Sequence, residues 1–162
     1  MRDNLKVVFL CTANSCRSIV AEAVFNHLAP AKMRAVSAGS RPCGWVHPQS
    51  LEALERAGIA RTGLHSKSIS EHASMQPDLI ITLCDSAAAE DCPSGFASVP
   101  RAHWGLSDPA AVKGSAAEVS EAFDTTVRLV RERVEEFLRL PLASLDDDGL
   151  QQALQHIGQR SV

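Results

Sequence analysis

The sequence predicts a three-layer α/β domain: a central, mostly parallel four-stranded sheet flanked by helices. Two observations carry that expectation. Short runs rich in Val, Ile, Leu and Phe alternate along the chain with segments whose apolar residues recur at helical spacing. No internal repeat, low-complexity tract or linker interrupts the 162 residues, a length that fits one compact domain over 1–162.

Residues 5–10, LKVVFL, read as a buried parallel strand. Ile19, Val20, Ala23, Val24, His27 and Leu28 then mark a helix that Pro30 ends. MRAVSAG (33–39) is a second strand closed by glycine. Pro48 suits a first helical position, Leu51 and Leu54 share a face, and Gly58 is a C-terminal cap. DLIITLC (78–84) is the third strand, and ASVPRAHW (97–104) carries a weaker fourth. Between them, Asp85 as N-cap and three alanines predict a helical segment over 85–91. Val119, Phe123, Val127, Val130, Val134 and Phe137 mark a long amphipathic helix stopped near Pro141. A helical extension follows over about 141–162, with Leu150, Leu154 and Ile157 on one face and the acidic run 146–148 at its start. That apolar face must cover either the domain's own core or a partner.

Composition excludes several classes. With 45% hydrophobic and 22% charged residues the chain is an ordinary globular one, and a net charge of −3 gives nucleic acid no electrostatic footprint. No apolar run approaches the ~20 residues that cross a bilayer, and the N-terminus lacks a signal-peptide pattern. The expectation is a cytoplasmic protein without membrane or nucleic-acid partners. Its five cysteines, an odd number, then point to reactive thiols rather than a disulfide framework.

The densest chemistry lies in LCTANSCRS (10–18). This turn leaves a strand and opens a helix, so the backbone N–H groups of Thr12, Ala13, Asn14, Ser15, Cys16, Arg17 and Ser18 can converge on an anion. Arg17 adds a two-point fork for a tetrahedral oxyanion. The same positive field favours the thiolate of Cys11, a nucleophile. Ser18 can donate a hydrogen bond to that sulfur, and Asn14 tolerates the left-handed backbone a tight loop needs.

CTANSCRS resembles the phosphate-binding loop of low-molecular-weight protein tyrosine phosphatases and of the arsenate reductases that share their fold, although Ala13 stands where members usually carry glycine. The likeness extends to SAG (37–39), HWG (103–105) and LPLASLD (140–146). It implies that Asp108, in an Asp-Pro loop with Pro109, is the general acid. The phosphatases usually follow Asp-Pro with tyrosine; this chain has Ala110 and no tyrosine anywhere, the form seen in the reductases. Cys84 and Cys92 supply the thiols that reduction needs and phosphate hydrolysis does not.

The resemblance therefore implies arsenate reduction for arsenic detoxification. Cys11 attacks arsenate, Cys84 attacks the Cys11 sulfur, and Cys92 forms a second disulfide with Cys84. No cofactor is bound; the electrons come from thioredoxin, or from glutathione with glutaredoxin. Phosphate and sulfate are the competing oxyanions. The alternatives are a tyrosine phosphatase and a non-catalytic oxyanion or arsenite sensor. In some relatives a potassium ion supports the loop at residues matching Asn14, Glu22 and Ser37; here the Lys67 ammonium is the alternative occupant. Cys16 is a bystander in the loop or a protective partner of Cys11, Cys43 has no assigned role, and His47, His65 and His103 are read as structural.

Overall fold

The structure is a computed structural model that describes residues 4–72, 74–89 and 99–159. Strands β1 (Leu5–Cys11), β2 (Met33–Gly39), β3 (Leu79–Thr82) and β4 (Arg101–His103) form one sheet in the order β2-β1-β3-β4. Every neighbouring pair is parallel, as a sheet buried on both faces favours. Helices α1 (Arg17–Leu28), α2 (Pro48–Arg56), α3 (Asp85–Ala89), α4 (Ala116–Leu138) and α5 (Asp147–Gln159) complete the described elements, with short 3₁₀ turns between them.

The period of two along β1 divides the core. Leu5, Val7 and Phe9 join Leu79 and Ile81 in the larger core with α1, α2, α4 and α5. Val8 and Leu10 join Ile80, Cys11, Cys84 and Ala87 in a smaller core on the other face. Phe123, Val127, Val130, Val134 and Phe137 of α4 are buried as the periodicity predicts. Ser115 and Glu118 close a reciprocal capping box at its start. Leu150, Leu154 and Ile157 pack α5 into the larger core, so its apolar face covers the chain's own interior.

Both edges of the sheet are closed by a side-chain amide. On β2, Asn26 accepts from the Ala35 N–H at 2.8 Å and donates to the Ala35 carbonyl at 2.9 Å. On β4, Gln151 does the same to Arg101, accepting from its N–H at 2.9 Å and donating to its carbonyl. Each amide imitates one residue of a neighbouring strand and removes a pairing site for a second chain.

Two expectations change. The fourth strand is shorter than 97–104: residues 97 and 98 lie outside the described residues, and pairing begins at Pro100, whose carbonyl takes the Ile80 N–H while its nitrogen has none to offer. Asp85 is not the cap of α3. The Cys84 sulfur takes that place, accepting the Ala87 N–H at 3.4 Å, and the Asp85 carboxylate turns out towards His103. Of the segment expected to be helical, α3 covers 85–89; residues 90 and 91 lie outside the described residues.

Candidate active site

Strand order reverses at β1: the chain passes to β2 on one side and to β3 on the other. Ligands of open parallel sheets bind outside the carboxyl ends of strands at such a point. Cys11 is the last residue of β1, and Arg17 the first of α1.

The five residues between them are held from outside. Arg41 N–H donates to the Thr12 carbonyl, Cys43 N–H and Ser66 Oγ to Ala13, and His47 N–H and Ser50 Oγ to Ser15, at 3.0–3.3 Å. A trans peptide points its N–H opposite its C=O. With these carbonyls turned outward, the amides of Ala13, Asn14 and Cys16 face the concave side. Asn14 is fully buried at φ 50°, in the left-handed region; its Nδ2 donates to Ser18 Oγ at 2.8 Å and its Oδ1 takes the Lys67 N–H at 2.9 Å. Ser18 thus meets Asn14, and is not among the partners of Cys11. Gly39 closes the back: a Cβ there would collide with the Thr12 carbonyl, which gives the SAG glycine its reason.

The concave side is electropositive. α1 has no side-chain cap and no acidic residue in its first turn. Arg17 donates from one terminal nitrogen to the Leu106 carbonyl at 3.0 Å, and the other lies 3.9 Å from Asp108 Oδ2. Its Nε is buried and has no hydrogen-bond partner among the described residues. A buried unsatisfied donor on an arginine beside a ring of amides is the third point of an oxyanion grip. Asp108 is half-exposed and caps the turn Pro109–Ala111 by accepting the Ala110 N–H at 3.0 Å. The buried Arg133 donates to the carbonyls of Trp104 and Gly105 at 2.8 and 3.0 Å, and so anchors the loop that carries Asp108.

Under the loop lies a pair of thiols. Cys11 and Cys84 are both buried in the same small core, close enough for the charge of Cys84 to act on Cys11. Burial pushes the Cys11 thiol up to about 12, against the pull of Arg17. Cys84 is also pushed up by burial, but hydrogen bonds from the Thr12 hydroxyl, the Ala87 N–H and Cys11 outweigh that and lower it. The Thr12 Oγ1 to Cys84 Sγ distance is 3.5 Å. Of the two thiols, Cys84 is therefore the more readily ionised and Cys11 the less. At the strand end, desolvation works against the field of the turn, which was expected to favour the Cys11 thiolate.

Behind the loop, Lys67 is buried, and each of its three ammonium protons has an acceptor: Glu22 Oε1 at 3.0 Å, Ser37 Oγ at 3.2 Å and the His65 carbonyl at 2.9 Å. Glu22 and Ser37 thus meet at the Lys67 ammonium, which fills the space between them, while Asn14 is tied to the Lys67 backbone. The residues present do not fit an added cation, and no metal-binding group of His, Cys, Asp or Glu occurs among the described residues.

The remaining expected residues separate. Cys16 packs into the larger core and Cys11 into the smaller, with the Cys16 thiol raised by burial. Cys43 is exposed and donates to the Trp45 carbonyl at 3.1 Å. Cys92 lies outside the described residues. His47 caps α2, accepting the Gln49 N–H at 3.1 Å. No helix among the described residues is long and apolar enough to cross a membrane.

Known proteins resemble this chain. Residues 6–152 match the family described as low molecular weight phosphotyrosine protein phosphatase. An arsenate reductase of Bacillus subtilis is 33% identical over 135 residues, 83% of this chain and 96% of the relative. An arsenate reductase of Staphylococcus xylosus is 38% identical over 108 residues, 67% of this chain and 81% of the relative. A solved arsenate reductase in the phosphate-binding state superposes with a TM-score of 0.69 at 30% identity, covering 83% of this chain and 96% of that one.

Proposed function

The chain belongs to the low molecular weight phosphotyrosine protein phosphatase family, and within it we propose that this member reduces arsenate to arsenite, in arsenic detoxification, through its own thiols. One observation carries the reading: a second buried thiol, Cys84, shares the small core with Cys11 at the floor of an oxyanion loop and meets the loop through Thr12. Hydrolysis of a phosphate ester has no use for it. A two-electron reduction does.

The steps follow from the contacts. Arsenate docks on the loop amides and takes up the free Arg17 Nε. Cys11 passes its proton to an arsenate oxygen, and its Sγ attacks arsenic. Asp108 protonates the departing oxygen, which leaves as water. Cys84 Sγ, held by the Thr12 hydroxyl, then attacks Cys11 Sγ; its proton goes to an arsenite oxygen. The sulfur–arsenic electron pair stays on arsenic, As(V) becomes As(III), and a Cys11–Cys84 disulfide remains. Cys92 attacks Cys84 and frees Cys11, and thioredoxin in the cytoplasm reduces the Cys84–Cys92 bond. Phosphate and sulfate occupy the same grip without turning over.

The test is arsenate-dependent NADPH oxidation, coupled in parallel to thioredoxin with its reductase and to glutathione with glutaredoxin. Turnover with thioredoxin, and none above background with glutaredoxin, is the expected result. No turnover in either arm contradicts the reading.

Lys67 supplies the cation behind the loop, so potassium has no place to act. At matched ionic strength, kcat/KM in potassium, sodium and choline chloride should agree within about twofold. Lys67→Met strands the Glu22 carboxylate without its partner and should lower stability by ~3–5 kcal/mol. A several-fold stimulation of the wild type by potassium would show that an ion competes with the ammonium.

A further inference from the structure

Among the described residues, helix α3 is tied down at three points, and only one belongs to the chemistry above. Cys84 Sγ accepts the Ala87 N–H. The other two ties come from β4. Arg101 donates to the Ala87 carbonyl at 2.6 Å, and His103 Nε2 lies 3.2 Å from Asp85 Oδ1 while its Nδ1 lies 2.8 Å from Thr82 Oγ1. β4 is itself gripped from the opposite side by α5. The Gln151 amide pairs with the Arg101 backbone, and Trp104 Nε1 donates to the Leu154 carbonyl at 3.0 Å. Gly158 seats so closely on the His103 carbonyl that a Cβ would collide with it.

The three ties do not survive the cycle equally. A Cys84 thiolate is a good acceptor for the Ala87 N–H, whereas a neutral disulfide sulfur is a poor one. When Cys84 bonds to Cys11 the first tie weakens, and α3 depends on Arg101 and His103. The next step, thiol attack on Cys84, needs α3 to move. Cys84 is buried at the start of α3, so another thiol reaches its sulfur only as α3 gives way.

We propose that Arg101 and His103 are positioning residues: they latch α3 to β4, with α5 as the backing, and set how fast Cys84 passes from Cys11 to its next thiol partner. This rests on the reading of Cys84 as the resolving thiol. The latch contributes nothing to oxyanion binding or to attack by Cys11.

Arg101→Met keeps the stem and removes the donor; His103→Gln is the milder second variant. In reduced protein, amide hydrogen exchange at 85–89 should rise about tenfold in Arg101→Met and less in His103→Gln, with β1 and β3 unchanged. Conversion of the Cys11–Cys84 form, followed by quenched alkylation and mass spectrometry, should quicken several-fold. Aryl phosphate hydrolysis, which needs neither thiol exchange nor α3 movement, should stay within about twofold of wild type. Unchanged exchange at 85–89, or an unchanged conversion rate, overturns the latch. So does protection lost across β1 and β3 as well, which would make Arg101 a support of the whole fold. The exchange measurement involves no arsenate, so the latch and the proposed activity can fail separately.

Discussion

Cys11→Ser is expected to abolish arsenate reduction and any aryl phosphate hydrolysis together, by about 10⁴-fold or more. Both reactions begin with the same sulfur at the end of β1, and a serine hydroxyl there is a far weaker acid and a poorer nucleophile than a thiol. Single-turnover assays with arsenate and with an aryl phosphate measure the two losses side by side. Retention of a few per cent of either activity would remove Cys11 from the role of nucleophile. The variant also tests the buried thiol. Folded Cys11 keeps its proton up to about 12, whereas the unfolded chain releases it near 9.0, so the contribution is intact below pH 9 and declines as pH rises towards 12. Denaturant titrations of wild type should therefore show an alkaline fall in stability that the serine variant shows less steeply.

Arg17→Lys is expected to be nearly as damaging as Arg17→Ala. The lysine keeps one charge but has no Nε in the plane of a fork, and it is the buried, unpartnered Nε that awaits the oxyanion. It also leaves the Leu106 carbonyl and Asp108 without their present partner. The loss should be on the order of 2–4 kcal/mol, or about 30- to 1000-fold in kcat/KM. A lysine variant within about threefold of wild type would show that positive charge alone suffices.

Much of this was legible in the sequence because it is local. β1, β2, α1 and α4 announce themselves through apolar period and punctuation by Pro30, Gly39 and Pro141, and the anion turn lies within seven consecutive positions, 12–18. What escaped depends on residues far apart in the chain. Thr12 meets Cys84 across 72 positions, Arg17 meets Leu106 across 89, and Arg133 reaches back to Trp104 and Gly105. The strap over 41–47 pairs with the loop through backbone groups, which carry no sequence signal at all. The electrostatics of Cys11 follow the same rule: the turn's field can be read from spacing, but burial and a neighbouring thiol cannot. Asp85 lost its capping role to Cys84 because a sulfur facing the helix start is a tertiary accident that propensity does not encode. One signal was available and went unread. Ser115 followed three residues on by Glu118 is a capping-box pattern, and it marks the first turn of α4.

The central claim is that Cys84 resolves the Cys11–arsenic adduct. It is tested most directly in Cys92→Ser given one equivalent of arsenate without an external reductant, then quenched by alkylation and digested. The expected result is one arsenite released per protein together with a peptide linked through Cys11 and Cys84. Arsenite release with Cys84 still alkylated as a free thiol, or no arsenite at all, would contradict it.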